Sequence, residues 1–290
     1  MADLARKYPD NAPGDFYVDS TCIDCDACRR IAPATFAEAS DHSTVRAQPS
    51  DEVERRRALM ALVSCPTGSI GTASRQNVRP GLEGFPEPLE DGVSFCGFTS
   101  ADSFGAFSYF VERSEGNVLV DSPKAVPRLL KEFDRHGGVA TMFLTHRDDV
   151  ADHAAFRRRF GCERVLHEAD LSAGTRSIER PIRGTEPVAL APDLLAIPTP
   201  GHTRGHSVLL YLGKFLFTGD HLAWSRRRDA LVAFRDACWY SWEEQIASME
   251  RLREHSFEWV LPGHGSWRRF ESPGEARREL DRCVAWMKTV

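Results

Sequence analysis

Four short apolar runs in the second half of this chain each break into a loop that carries a potential metal ligand. They are TMFLTH, ending at His146; LLAIPTPGH, at His202; KFLFTGD, at Asp220; and FEWVLPGH, at His264. Apolar runs of this length, bounded by Gly and Pro, read as buried strands. Ligands placed at strand ends can converge on one edge of a sheet, where rigid elements hold them and the loops admit a substrate. Few folds satisfy four such ends at once.

The intervening sequence alternates with these runs. FSYFVERSEGNVLVDS reads as a hairpin turning at Ser114 to Asn117, and KAVPRLLKEFDRHGG as a helix closed by Gly137 and Gly138. EEQIASMERLREH and PGEARRELDRCVAWMKTV follow helical periodicity. The fold class expected is α/β (α+β).

In this order, the loops THRDDVADH, TPGHTRGHS, FTGDH and LPGHG resemble the motifs of the metallo-β-lactamase fold superfamily: His-x-His-x-Asp-His, Gly-His, Gly-Asp and Gly-His. The resemblance covers roughly residues 94–290. It implies an αββα sandwich and a dinuclear metal site bridged by Asp220, the catalytic residue that would orient the attacking water. The first loop departs from the pattern. Asp148 takes the second histidine position, and counting forward from His146 leaves Val150 and Ala151 where Asp-His should stand. Counting back from the helix ADHAAFRRRFG aligns Asp152 and His153 with that pair and leaves two extra residues in the loop. On this reading His146 and Asp148 serve one metal, and Asp152 and His153 the other. His202, Asp220 and His264 complete the ligands. Asp149 competes with Asp148, and without His153 the centre would be mononuclear. His206 and His221 are read as lying behind the ligands or at the surface. His42, His136, His167 and His255 have no ligand spacing and are read as structural.

Exchanging imidazole for carboxylate hardens the site, moving its preference from zinc toward iron or manganese. The flavodiiron branch of the superfamily also has a carboxylate in that second position. This chain is similar to it in that substitution alone, with Asp in place of Glu and no flavodoxin-like domain.

The N-terminal part carries a second motif. STCIDCDACRRIAP places Cys22, Cys25 and Cys28 at intervals of three, and VSCPTGSI adds Cys65 before a proline. Three thiolates on one tight loop and a distant Cys-Pro match the bacterial pattern for one [4Fe–4S] cluster. A zinc ribbon would show two separated Cys-x2-Cys pairs. The segment resembles single-cluster ferredoxins, with DFYVDS as a strand leading in and DEVERRRALMALVS as a helix delivering Cys65. The expected organisation is a ferredoxin-like domain over 1–75, a linker over 76–93 and the metallo-β-lactamase fold over 94–290.

A net charge of −5 argues against a nucleic-acid partner held by a broad basic face, and no apolar run is long enough to span a bilayer. A cytoplasmic enzyme acting on a small-molecule substrate is expected, with an electron-donor protein or a homodimer as the partner classes. Two activities follow. In the first, slightly favoured, the [4Fe–4S] cluster delivers electrons to one or two iron, manganese or zinc ions in a redox metalloenzyme. In the second, metal-acidified water hydrolyses an ester, thioester, lactone, amide or phosphoester, and the cluster is structural or redox-sensing. A third, non-catalytic reading is an electron-transfer or sensory protein with a degenerate pocket. The stretch carrying Trp224, Trp239, Tyr240 and Trp242 is expected to form part of the pocket wall, with ordinary packing the alternative for each aromatic; Arg226, Arg227 and Arg228 are read as a solvated loop or as contacts for an anionic substrate.

Overall fold

The computed structural model describes residues 2–290. By contact the chain forms two compact units, Met1–Ala140 with Ala151–Gly161, and Thr141–Val150 with Cys162–Val290.

The first unit begins with β1 (Phe16–Val18), α1 (Ala27–Ile31), the hairpin β2 (Phe36–Glu38) and β3 (Ser43–Val45), α2 (Glu52–Ser64) and β4 (Ile70–Thr72). β1 and β4 pair antiparallel. α2 starts where Asp51 accepts the Glu54 N–H at 2.8 Å, while the Glu54 carboxylate accepts the Ser50 N–H, also at 2.8 Å. This reciprocal capping satisfies amide donors that the first turn leaves open. The helix stops at its C-cap, Cys65, because Pro66 cannot continue it.

Residues 76–93 are not a bare connection. They carry α3 (Arg79–Leu82) and β5 (Glu87–Glu90). Gly81 packs so tightly on α2 that a Cβ there would stand 2.5 Å from the Leu59 carbonyl oxygen, and Arg57 of α2 pairs with Glu87. The Gly and Pro residues that suggested a linker punctuate short, docked elements. β5 continues into an antiparallel meander with β6 (Val93–Phe95), β7 (Tyr109–Val111) and β8 (Val118–Val120). α4 (Pro127–Arg135) ends at Gly137 and Gly138, both left-handed, and α5 (His153–Phe160) completes the unit. Phe133 of α4 stacks on Phe110 of β7 with ring centroids 4.5 Å apart.

In the second unit β9 (Thr141–Phe143), β10 (Glu163–His167) and β11 (Arg180–Ile182) run parallel, with β10 central. A mixed sheet follows from β12 (Val188–Ala191), β13 (Leu194–Pro198), β14 (Ser207–Tyr211) and β15 (Phe215–Gly219). The hairpin β16 (Ala223–Ser225) and β17 (Ala230–Val232) and α6 (Trp242–Arg251) lead to β18 (Trp259–Pro262), which pairs parallel with β15, and to β19 (Arg268–Arg269) on its other side. α7 (Pro273–Met287) ends the chain. Apolar side chains of α6 and α7, including Met249, Leu280 and Val284, bury against Ile197, Val208, Leu216 and Val260 of the mixed sheet. These are mixed sheets with flanking helices, preceded by a small strand-and-helix segment, as the expected fold class requires.

Strand direction positions the ligands. β14 is antiparallel to both β13 and β15, and β15 is parallel to β18. The C-terminal ends of β13, β15 and β18 therefore lie on one edge, and each opens into a ligand loop.

Leu280 is fully buried, so Leu280→Ala should cost about 2–5 kcal/mol of unfolding free energy, measured by denaturant titration.

Candidate metal and cluster sites

His146, Asp148, Asp149, His202, Asp220 and His264 gather on that edge of the second unit. One group is His146, Asp148 and His202; another is His146, Asp149 and Asp220; within each, the ligand atoms lie within 4.8 Å of one another. His146 Nε2 stands 3.9 Å from Asp148 Oδ2 and 3.8 Å from Asp220 Oδ2, and His202 Nε2 stands 3.6 and 3.8 Å from the same atoms. These spacings exceed hydrogen-bond length. Two ligands on one tetrahedral ion at about 2.1 Å would stand roughly 3.4 Å apart. Nε2 of both histidines is buried without a hydrogen-bond partner. An unpaired buried nitrogen is costly, and a metal ion removes that cost. The donor set therefore fits one or two divalent ions.

Each side chain is oriented locally. Thr145 Oγ1 lies 3.0 Å from His146 Nδ1, turning Nε2 toward the site. His264 Nδ1 stands 2.7 Å from Asp220 Oδ1. Burial pushes the Asp220 carboxyl up, but His264, together with His146 and His202, outweighs it and holds the group below the usual carboxylate range. Burial pushes the His146 imidazole down to about 4, against the opposing pull of Asp220. The imidazole is thus neutral near pH 7, as a ligand must be. Two glycines make room. A Cβ on Gly263 would stand 2.8 Å from both Asp149 Oδ2 and Asp220 Oδ1. On Gly219, at φ +48°, it would stand 2.4 Å from Thr145 Oγ1.

The sequence-derived ligands divide. His146, Asp148, His202, Asp220 and His264 come together. Asp149, read only as a competitor, takes a place beside Asp220. Asp152 and His153 belong to neither ligand group: Asp152 Oδ2 accepts the Ala125 N–H at 2.8 Å, and His153 is the first residue of α5, in the other unit. His206 and His221 are fully buried, forming a stack with His146 at centroid spacings of 5.2 Å. Sequence reading also missed Asp170, which VLHEAD offers without any ligand spacing.

The expected pocket wall thins to two side chains. Trp224 is buried under Arg268, and Trp242 packs on Trp286. Trp239 and Tyr240 remain exposed, and both donate their backbone N–H to the His202 carbonyl, at 2.9 and 3.2 Å.

In the first unit Cys22, Cys25, Cys28 and Cys65 line one small cavity, closed by Val18, Ile23, Ala27, Pro66 and Ile70. Backbone amides aim at the sulfurs: Ser43 N–H at Cys22, 3.4 Å, and Ser69 N–H at Cys65, 3.3 Å. Burial pushes the Cys25 thiol up to about 12 and the Cys28 thiol higher still. Free thiolates are thus disfavoured there, and a cationic cluster supplies what burial removes. Gly105, at φ +85°, closes over the cavity, where a Cβ would stand 2.7 Å from Cys25 Sγ.

Comparison with known proteins bears on each part of the chain. Residues 18–72 match the family described as the 4Fe-4S single cluster domain of Ferredoxin I. The body has the metallo-β-lactamase fold. VMB-1 superposes with a TM-score of 0.52 at 15% identity, over 70% of this chain and 95% of that one. DIM-1 metallo-beta-lactamase superposes with a TM-score of 0.51 at 15% identity, over 68% and 96%. A hydroxyacylglutathione hydrolase from Rhizobium etli is 28% identical over 140 residues, 47% of this chain. The match spans 53% of that relative's length. The chain thus joins a segment that matches the single-cluster 4Fe-4S family to a body with the metallo-β-lactamase fold. Among the described residues no helix is long and apolar enough to cross a membrane.

Two predictions follow from these geometries. Gly105→Ala should lower the iron and sulfide bound per chain, because Cys25 must shift; iron analysis and visible absorbance read this directly. The His221 imidazole is pushed by burial from 6.5 down to about 3. A depressed folded pKa stabilises above the unfolded value, and that stability is lost as pH falls from 6.5 toward 3. His221→Phe keeps the ring but not the titration. In metal-free protein it should flatten the fall of unfolding free energy by up to about 1.4 kcal/mol per pH unit.

Proposed function

We propose that this chain is a metal-dependent hydrolase of an ester-type carbonyl, with thioesters as the leading substrate class. The observation that carries the reading is the pair of ligand groups sharing His146 on the open edge of the second unit. The partial likeness to a relative named hydroxyacylglutathione hydrolase supports it, since an acyl group carried on a thiol is a thioester.

His146, Asp148 and His202 would hold one ion, and Asp149, Asp220 and His264 a second. A divalent ion so held acidifies water and polarises a carbonyl oxygen. Asp220 accepts a hydrogen bond from the attacking water and fixes its direction. His264 Nδ1, 2.7 Å from Asp220 Oδ1, holds a proton against that carboxylate. Asp148, 45% exposed, marks the side open to solvent, where the substrate enters. Trp239 and Tyr240, fastened by their amides to the His202 loop, give an apolar wall for the acyl or thiol portion. Water adds to the carbonyl carbon, the C–S bond breaks, and the thiolate leaves with the proton that the water gave up. On this reading the [4Fe–4S] cluster is structural or redox-sensing.

A second reading keeps the redox role, and one observation favours it: three of the six ligands are carboxylates, a hard set that suits iron. Metal analysis of anaerobically purified protein separates the two. Hydrolysis expects roughly four irons with two zincs, and the redox reading about six irons. Cys28→Ser protein reloaded with zinc should still cleave acyl thioesters, followed by release of free thiol. Loss of cleavage in that variant, with zinc retained, would overturn hydrolysis as a cluster-independent activity.

A further inference from the structure

Between the two ligand loops of the second unit lies one buried carboxylate that no ligand assignment uses. Asp170 is 1% exposed, on the short turn that follows β10. Its Oδ2 accepts the Arg147 N–H at 3.1 Å and the Thr203 hydroxyl at 2.5 Å; its Oδ1 accepts the Gly205 N–H at 2.7 Å. Arg147 sits between His146 and Asp148, and Thr203 directly follows His202. One side chain therefore bonds to both loops that supply the first ligand group.

We infer that Asp170 is a positioning residue, which sets the separation of His146 and Asp148 from His202 and so the affinity of that group for its metal. The His202 loop is also held from its far side, where the Trp239 and Tyr240 N–H groups bond to the His202 carbonyl and the Ser241 N–H to the Gly201 carbonyl at 3.0 Å, but none of these bonds reaches the His146 loop. Ser207 N–H bonds to the Thr145 carbonyl at 2.8 Å behind them, and beyond that point each loop is irregular backbone. A ligand set must be held within about half an ångström to be productive. Asp170 is itself fixed at the end of a strand. β10 pairs parallel with β9, so the turn after β10 emerges beside the loop after β9. His167 pins the turn, accepting the Ala169 N–H at Nδ1 (3.1 Å) and, at 2.9 Å, donating from Nε2 to the Gly184 carbonyl. The fit on the other side is close. A Cβ on Gly205 would stand 2.7 Å from the Asp170 nitrogen and 2.8 Å from its Oδ1. Any larger residue at 205 would push the His202 loop off its anchor.

The inference rests on the metal-binding reading of the ligand group and is independent of which reaction the site performs. The probe is zinc alone, titrated against a chromophoric chelator, with the cobalt-substituted spectrum as a second readout. Asp170→Ala should weaken zinc binding by about 10- to 100-fold and shift the cobalt bands. Thr203→Val removes one of the three bonds with little change of shape. It should weaken zinc several-fold while leaving the unfolding midpoint near that of the unaltered protein. Leu280→Ala, destabilised far from the loops, should keep the unaltered zinc affinity. Should Asp170→Ala fail to fold, Thr203→Val decides. Unaltered zinc affinity in folded Thr203→Val and Asp170→Ala would overturn the inference, as would equal weakening in Leu280→Ala. A protein that shows the Asp170 dependence but cleaves no thioester would retain this inference and lose the hydrolase.

Discussion

The second unit is organised around an electrostatic problem. Asp149 and Asp220 bring carboxylate oxygens within 4.8 Å of one another at a buried edge. Two like charges at that spacing repel by about 3.5 kcal/mol at an effective dielectric near 20. Asp148 adds a third carboxylate beside the same histidine. Arg147 Nε approaches Asp148 at 3.8 Å, but both side chains are 45% exposed, so this pair is largely screened by solvent. A bound cation is the natural counter-charge. The strand ends, the glycines at 219 and 263 and the buried, neutral His146 all serve to hold the ligands where that cation belongs.

Three of the four candidate ligand loops were legible in the sequence because each reaches its candidate ligand within four residues of a strand end. A residue so near a strand end has little freedom, so order along the chain translates into place at the edge. His202, Asp220 and His264 follow that logic. THRDDVADH does not. Four residues separate Thr145 from Val150, Ala151 and the first turn of α5, and the loop backbone decides which of three aspartates turns inward. Aligning from the helix selected Asp152 and His153. The turn instead brings Asp149 inward, and Asp152 accepts the Ala125 N–H where α5 begins. Spacing cannot report such a choice when the candidates are chemically identical.

Asp170 was invisible for a different reason. Its partners at 147, 203 and 205 lie 23 to 35 positions away, and two of the three donors are backbone amides that leave no trace in residue type. The supposed linker over 76–93 failed similarly. Gly81 is there because α2 lies against it, a long-range contact that local composition reads as flexibility. By contrast, the hairpin over β7 and β8, the closure of α4 at Gly137 and the delivery of Cys65 by α2 are local events, and the sequence carried them.

A chain with two metal chemistries must also keep their ligands from exchanging. Softness does part of this. The thiolates of the cluster are confined to residues 22–65, and the second site offers only imidazole and carboxylate, so soft and hard metals have distinct destinations. The exception to test that logic against is Cys238, which sits on the segment fastened to the His202 loop. Its sulfur donates to the Gly201 carbonyl at 3.2 Å, and burial raises its pKa. A protonated thiol engaged with a carbonyl is a poor ligand. Cys96, Cys162 and Cys283 are buried more deeply still. The segregation therefore follows from hydrogen bonding and burial as well as from ligand type, and the Asp148 carboxylate, an oxygen donor beside His146, extends it. Every oxygen added to the second site widens its difference from the sulfur cage.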